Sequence, residues 1–142
     1  MKAMKKIGFF DEKIFLYYEE NDLFMRCLNN NKKIILLNSV FIRHIGNSSV
    51  DKSYEFQIEL NRNWHYMWSK FYFLRKHYSL LKAYKDTLGH FLKAVLKFVI
   101  YIFFNKKKSL IYKYRMMGLL NSYCSKTSWM RPNTKLSVNN YN

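Results

Sequence analysis

The stretch YEFQIELNRNWHYMWSKFYFLRKH, residues 54–77, decides the fold because it reads as one long helix. Large apolar side chains recur in it at intervals of three or four, at Phe56, Leu60, Trp64, Met67 and Phe71. Apolar residues at this spacing fall on one face of a helix with 3.6 residues per turn. The sequence therefore predicts a helix with one apolar face over these residues.

Residues 80–104 are strongly apolar, but polar side chains recur among them every three or four positions. These are Lys82, Asp86, His90, Lys93 and Lys97. At about 100° per residue they fall within a narrow arc of one helix face. The opposite face is apolar and carries Leu88, Phe91, Leu92, Val95, Leu96, Phe98, Val99 and Ile102. A basic amphipathic helix of this kind is typical of a segment that lies in a bilayer interface.

Two further features bear on how this segment meets a membrane. A spanning helix needs about twenty largely uncharged residues, and Lys93 and Lys97 interrupt such a run. The lysines at 106–108 follow at once and suit anionic headgroups, and residues 110–124 form a second mixed segment. We therefore expect peripheral attachment to the cytoplasmic face of a membrane, although the pattern leaves open whether residues 87–104 span it. The alternative is that these helices pack on a soluble partner domain.

The charge balance narrows the choice of partners. The chain has 142 residues, enough for one small domain, with 25 Lys and Arg against 9 Asp and Glu and a formal net charge of +16. Such a surface attracts polyanions, so nucleic acid and an anionic membrane leaflet are the candidates. Cations interleaved with Tyr and Phe suit single-stranded nucleic acid, but no recognised nucleic-acid motif occurs. We expect an anionic membrane, and no nucleic acid, as the partner. The alternative interpretations are a basic nucleic-acid-binding protein and a small membrane-associated structural protein.

The cysteines and the N-terminus indicate a location inside the cell. Cys27 and Cys124 have neither metal-site nor disulfide-framework spacing, so we expect free thiols in a reducing compartment. The basic start MKAMKKIGFFDEK lacks an apolar run of signal-peptide length, so export is not expected.

The acidic residues are concentrated near the N-terminus, at Asp11, Glu12, Glu19, Glu20 and Asp22. Residues 19–22 are placed to open a helix, because carboxylates oppose the positive end of the helix dipole. Residues 29–31, all Asn, are placed to end it. Residues 33–37 and 40–44 read as two short strands.

Several short motifs occur in a fixed order between residues 7 and 49. They are Phe10-Asp11-Glu12, Phe15-Leu16-Tyr17-Tyr18-Glu19, Asp22-Leu23 with Arg26, and His44 with Gly46 and Ser48. Their order and spacing resemble family 2 glycosyltransferases of the rhamnosyltransferase-like kind, written roughly I-G-G-F-D-E-x-F-F-L-Y-Y-E-D-x-D-L-x-x-R and, later, H-x-G-x-S. Arg62-Asn63, just before the most aromatic part of the helix predicted over residues 54–77, adds to the resemblance, which covers about residues 5–78.

The resemblance implies an α/β fold class, namely the C-terminal portion of a nucleotide-diphospho-sugar transferase fold with two short strands plus helices, mainly helical overall. It divides the chain into an acceptor-side part at 1–78, basic amphipathic membrane-associated helices at 79–125 and a flexible tail at 126–142. The implied function is transfer of a sugar, rhamnose by the resemblance, from a nucleotide sugar to a glycan or lipid-linked acceptor in cell-surface polysaccharide biosynthesis.

The resemblance also assigns roles to individual residues. Inverting transfer needs a base for the proton of the acceptor hydroxyl and positive charge for the departing diphosphate. The implied base is Glu20, with Glu19 beside it. The implied substrate contacts are Asp22, Arg26, Ser48 and Arg62, and the implied ligand of a divalent metal, Mg or Mn, is His44. Asp22 and Arg26 also lie four residues apart, so an ion pair on one helix face is an equal alternative.

Two residues depart from the family pattern. Glu20 stands where the family has Asp, and its extra methylene can displace the carboxylate by about 1 Å. Phe9 stands where the family has Gly, so it hinders a close backbone approach.

Nothing in the chain resembles the nucleotide-binding half of the family or its acidic metal motif. We therefore expect a truncated enzyme that is inactive without that half. It would be either a gene remnant or a split enzyme whose other half is separately encoded.

Overall fold

Helices account for all the regular structure of the residues described here. A computed structural model of the chain describes residues 2–35, 37–43 and 52–131. The helices are α1 (Lys2–Ile7), α2 (Glu19–Asn29), α3 (Glu55–His77), α4 (Leu80–Phe104) and α5 (Lys106–Tyr123), with a 3-10 turn at Lys52–Tyr54. Helices α3, α4 and α5 pack on one another and form the centre of the molecule.

Polar caps explain where α4 and α5 begin. The hydroxyl oxygen of Ser79 accepts a hydrogen bond from the amide of Lys82 at 3.1 Å. The side-chain oxygen of Asn105 accepts one from the amide of Lys108 at 2.9 Å. Each cap satisfies an amide that the first helical turn leaves without a partner. Because Asn105 alone separates α4 from α5, the two helices form a tight antiparallel hairpin.

The predicted apolar face of α3 supplies most of the core. Its buried members, each at most 3% exposed, are Leu60, Trp64, Met67 and Phe71. The central cluster adds Ala83 from α4 and Leu119 from α5. Phe71 also meets Tyr123 of α5 edge-on, with ring centroids 4.7 Å apart. The helix predicted over residues 54–77 is therefore confirmed, with Glu55 as its first α-helical residue.

Small residues form the inward face of α4. Its buried residues are Ala83, Thr87 and Ala94. The Thr87 hydroxyl donates to the Ala83 carbonyl oxygen at 2.6 Å and contacts the Tyr123 hydroxyl at 3.0 Å. This face lies between the predicted polar stripe and the predicted apolar face. The large apolar residues consequently point outward, and Leu92 and Leu96 are 58% and 61% exposed.

A close backbone approach joins α5 to α3 at Gly118. A Cβ atom added at this position would overlap the carbonyl oxygen of Trp64. The backbone conformation of α5 does not itself require glycine at this position. The requirement comes from the close approach of α3. Ser122, one turn later, donates from its hydroxyl to the Trp68 carbonyl oxygen at 3.1 Å and continues the contact.

The prediction of two strands, and with it the α/β fold class, is wrong for the described part of the chain. Residues 33–35 and 37–43 contain no strand. Their side chains are largely exposed, for example Ile35 at 75% and Phe41 at 92%. A β-rich segment forms a strand only beside a partner that takes its backbone hydrogen bonds, and the described residues provide none.

The other predicted boundaries have mixed outcomes. The helix predicted from residue 19 is confirmed as α2, and Asn31 follows its end with a left-handed φ of 52°. The proposed domain boundary after residue 78 stays a prediction. Helix α3 precedes that boundary and shares its core with α4 and α5, which follow it. Of the predicted tail, residues 126–131 contact α3, where Met130 bonds His65 through its carbonyl oxygen at 2.9 Å. Residues 132–142 lie outside the described residues.

Replacing Gly118 with alanine is expected to destabilise the fold by about 1–3 kcal/mol, because the new methyl group must push α5 away from α3. The matched control is Gly89→Ala in α4, where a Cβ atom meets nothing within 4 Å. This control should raise stability by about 0.5–1 kcal/mol through helix propensity alone. Urea unfolding followed by circular dichroism measures both changes, and two changes of the same sign would contradict the assigned packing.

Candidate functional site

A buried carboxylate, Asp22, is the centre of a polar cluster that joins α2 to α3. One of its oxygens, Oδ1, lies 2.6 Å from Lys76 Nζ and 2.7 Å from His77 Nε2. The other oxygen, Oδ2, lies 2.9 Å from Arg26 Nε. Burial of an ionised carboxylate is costly unless cations and hydrogen-bond donors surround it. Asp22 is fully buried and has three such partners. The predicted Asp22–Arg26 ion pair is therefore confirmed.

Arg26 extends this cluster to the N-terminal segment. Its guanidinium donates to the carbonyl oxygens of Ile7 at 2.8 Å, Gly8 at 2.9 Å and Phe9 at 2.5 Å. These carbonyl groups follow the end of α1, where a helix leaves acceptors without partners. Gly8 has a φ of 87°, a conformation that favours glycine. The side chain of Arg26 thus holds the turn after α1 against α2.

Asp11 joins the same cluster through Lys76. Its Oδ2 lies 2.6 Å from Lys76 Nζ and accepts a hydrogen bond from the Tyr72 hydroxyl at 2.9 Å. Its Oδ1 accepts the backbone amide of Lys13 at 3.0 Å. One ammonium group therefore bridges Asp11 and Asp22. Residues from two separate sequence motifs meet at the C-terminal end of α3.

The cluster holds both carboxylates in the ionised form. Burial by itself raises the pKa of Asp22, but hydrogen bonds from Lys76, His77 and Arg26 outweigh it and keep that pKa below its ordinary value. The pKa of Asp11 is lowered in the same way, with burial opposed by bonds from Lys76, the Lys13 amide and Tyr72. The geometry of the cluster therefore suits positioning of the chain, and a substrate contact by Asp22 stays a prediction.

The predicted catalytic pair, Glu19 and Glu20, begins α2 directly after a strained turn. Tyr17 and Tyr18 both have left-handed backbone, with φ of 65° and 70°. This conformation costs a non-glycine residue about 1–2 kcal/mol. Both rings pack against Tyr66 of α3, with centroids 5.6 Å and 5.9 Å away. The aromatic contacts thus hold the turn from which the two carboxylates follow.

The two carboxylates have different surroundings. Glu20 is exposed, as a base that receives a substrate must be. Glu19 is partly buried, and its Oε2 has no hydrogen-bond partner among the described residues. Their role in sugar transfer stays a prediction, and the motif residues Gly46 and Ser48 lie outside the described residues.

The predicted substrate contacts do not all come together. Arg62 lies on α3, about 21 Å along the helix axis from Lys76 at a rise of 1.5 Å per residue. It is therefore remote from Asp22 and Arg26. Ser48 and the predicted metal ligand His44 lie outside the described residues.

The described residues contain no group of three or more His, Cys, Asp or Glu placed to bind a divalent metal, and the predicted ligand His44 is not among them. The nearby carboxylates Asp11 and Asp22 are already paired with cations. A magnesium or manganese cofactor therefore stays a prediction from the family resemblance.

A second candidate surface is the outward face of α4, which we call the outward surface. Its exposed apolar side chains are Leu81, Leu88, Leu92, Leu96, Val99, Ile102 and Phe103. The adjacent Phe104 is 81% exposed and stands just before the exposed lysines at 106–108. Among the described helices, α4 is the one long and apolar enough to cross a membrane, and its most apolar stretch is mostly exposed.

Cations and aromatic rings alternate near the tip of the α4–α5 hairpin. The rings of Tyr101 and Tyr112 are parallel, with centroids 5.7 Å apart. Lys97 donates to the Tyr112 hydroxyl at 3.0 Å, and Lys108 lies 5.4 Å from the centre of the Tyr101 ring. The guanidinium of Arg115 lies 5.7 Å from the Tyr112 ring. The rings thus gather three positive charges where the outward surface ends.

Motif reasoning missed the residues of α3 that complete the cluster, namely Tyr72, Lys76 and His77. The available signal was the cationic end Arg75-Lys76-His77 on an otherwise aromatic helix. Cations in the last turn of a helix are ordinary, because they oppose the helix dipole. Spacing alone therefore could not pair them with acids more than fifty positions earlier.

None of the protein-family models, curated proteins or solved structures compared with the chain matches it. The resemblance to family 2 glycosyltransferases therefore rests on its own motifs. The cluster described above adds the observation that some of those motif residues meet in space.

Replacing Asp22 with asparagine is expected to cost about 1.5–3 kcal/mol, because it removes the buried charge that accepts hydrogen bonds from the partly exposed Arg26 and Lys76. The control is Asp86→Asn. Asp86 also pairs with a cation four residues away, Lys82 at 2.9 Å, but this pair lies on the surface. The control should cost less than about 1 kcal/mol. Equal losses in urea unfolding would show that the Asp22 cluster does not stabilise the fold.

Acid is expected to weaken the fold through the same carboxylate. Since the pKa of Asp22 is lower in the folded than in the unfolded chain, its contribution is complete above the unfolded pKa of about 3.9 and is lost as the pH falls through the folded pKa. Stability measured between about pH 5 and pH 2 should therefore fall more steeply for the wild type than for Asp22→Asn. Identical slopes would contradict the lowered pKa.

Proposed function

We propose that the chain is a peripheral membrane protein whose residues 5–78 form the acceptor-side part of a family 2 glycosyltransferase. The observation that carries the enzymatic half of this proposal is the meeting of Asp11 with the Asp22–Arg26 pair. These residues belong to two motif elements of the resemblance. The outward surface of α4 supports the membrane half.

The cluster supports the enzymatic half because it fixes the chain on both sides of the loop at residues 12–18. That loop leads directly to Glu20 at the start of α2. A catalytic base must be held close to its working position, since a displacement of about 1 Å can cost a hundredfold in rate. In the proposed reaction Glu20 takes the proton of an acceptor hydroxyl while the hydroxyl oxygen attacks the anomeric carbon of a nucleotide sugar. The nucleoside diphosphate then leaves with the electrons of the broken bond.

The membrane half rests on the combination of exposed apolar residues with nearby cations. A folded monomer seldom exposes a continuous row of large apolar side chains without a partner for it. Here the row ends at two exposed phenylalanines and three lysines, which suit acyl chains and anionic headgroups respectively. Because the small-residue face of α4 packs on the protein, its outward face is free to lie along the bilayer. An acceptor carried by a lipid would lie in the same membrane.

Vesicles provide the test of the membrane half. The chain should sediment with vesicles of mixed phosphatidylcholine and phosphatidylglycerol, and much less with phosphatidylcholine alone. Leu92→Asp should abolish sedimentation, because it places a charge in the apolar row. The matched control is Leu28→Asp on α2, a leucine of similar exposure, 56% against 58%, that lies outside the outward surface. Equal effects of the two variants would contradict the assigned surface.

The lysines at 106–108 should contribute to the same binding. Replacing all three with glutamine is expected to lower partitioning onto the mixed vesicles by about two orders of magnitude, at about 1 kcal/mol for each lysine. Alkaline carbonate should release the wild-type chain from membranes, as expected of peripheral attachment. Retention after that treatment would show that α4 spans the bilayer instead.

Sugar transfer provides the test of the enzymatic half. The assay follows a radiolabelled sugar from nucleotide sugars to lipid-linked acceptors in membranes that hold the chain together with a nucleotide-binding half. Glu20→Gln should lower transfer by about a hundredfold or more, since it removes the base. The control is Glu59→Gln, which replaces a carboxylate with an amide at an exposed position on α3. It should leave transfer unchanged. Full transfer by the Glu20 variant would contradict the assigned base.

A further inference from the structure

A cleft of about 580 Å³ opens between α3 and the segment that follows α5. Its floor is aromatic and comes from Trp68, Phe71 and Tyr72. The rings of Trp68 and Tyr72 are nearly parallel, 15° apart, with centroids at 5.0 Å. The volume lies within the range of small-molecule sites, which are typically apolar with a few polar groups around them.

The wall of the cleft opposite α3 is held in place by hydrogen bonds. The indole nitrogen of Trp68 donates to the Lys126 carbonyl oxygen at 3.1 Å. Arg75 donates to the Ser125 hydroxyl oxygen at 2.5 Å. Because that oxygen is already an acceptor, the Ser125 hydroxyl keeps its own hydrogen for another group. The cleft thus offers donors to a ligand rich in acceptors.

The charge of the lining favours an anion. Lys76 lines the cleft but is neutralised by Asp11 and Asp22. The other lining cations, Lys13, Arg75 and Lys126, form no ion pair with the acidic residues that the structure describes. Glu12 is the sole carboxylate among the lining residues. Three cations against one carboxylate leave the cleft positive.

We propose that this cleft binds an organic phosphate, with its phosphate or diphosphate group on Lys13, Arg75 and Lys126 and its apolar or planar part against the partly exposed Tyr72, on which the nearly buried Trp68 is stacked. Phosphate oxygens accept several hydrogen bonds at once and match an arginine fork. The aromatic floor distinguishes such a ligand from inorganic phosphate. The proposal is independent of the sugar-transfer proposal, because neither Glu19 nor Glu20 lines the cleft.

Calorimetric titration at low ionic strength tests this site with three probes: inorganic pyrophosphate, uridine diphosphate and farnesyl diphosphate. We expect at least one of the two organic diphosphates to bind more tightly than pyrophosphate. Tighter binding of farnesyl diphosphate identifies a lipid-linked phosphate as the ligand, and tighter binding of uridine diphosphate identifies a nucleotide. Equal affinity for all three probes would overturn the proposal, because the aromatic floor would then contribute nothing.

The variant that tests the phosphate contacts is Lys13→Gln combined with Arg75→Gln. It should weaken binding of the preferred probe by about tenfold for each charged hydrogen bond removed. The control is Lys32→Gln combined with Lys33→Gln, which removes the same charge from the exposed segment after α2. In nuclear magnetic resonance spectra, the preferred probe should shift the indole NH signal of Trp68 more than those of Trp64 and Trp129. Equal weakening by the two double variants, or no selective shift at Trp68, would show attraction by net charge alone and overturn the site.

Discussion

A carboxylate cut off from water needs cations and hydrogen-bond donors around it, and Asp22 obtains them from two parts of the chain. Arg26 comes from its own helix, while Lys76 and His77 come from the end of α3. Because these partners come from both helices, the cluster fixes the orientation of α2 relative to α3. The same arginine secures the turn after α1, and the same lysine secures Asp11. The positions of α2 and of the turn after α1 therefore depend on this one buried charge.

Helices α3, α4 and α5 pack closely because small residues lie where their backbones approach one another. Ala83, Thr87 and Ala94 let α4 lie close to its neighbours, and Gly118 lets α5 lie against the Trp64 carbonyl group. Small residues on the inward side leave the bulky apolar side chains of α4 on the outward side. A helix that looks as if it should be buried is thus largely exposed, and the fold itself produces the surface that we assign to the membrane.

Local patterns predicted α2, α3 and α4 well, and the last two are long and strongly periodic. They failed at residues 33–43, where β-branched and aromatic residues suggested strands but strand formation depends on a partner elsewhere in the chain. Patterns also located the apolar side of α4 but not the face that packs, since three small residues carry little hydrophobic signal. At the candidate site, the four-residue spacing predicted the Asp22–Arg26 pair. The contribution of Lys76 and His77 depends on contacts across more than fifty residues, which no local spacing encodes.

The way in which α2 is attached affects how the molecule opens. Its buried residue is a charged one, while Phe24 and Leu28 are 47% and 56% exposed, so little apolar area holds this helix in place. Helices α3 to α5, by contrast, share an aromatic core. Segments with few buried apolar contacts open at lower free energy than the core that they cover. The molecule therefore has a stable centre, helices α3 to α5, and a helix α2 that is held mainly by charged groups. A change in salt concentration consequently loosens α2 before it unfolds the centre.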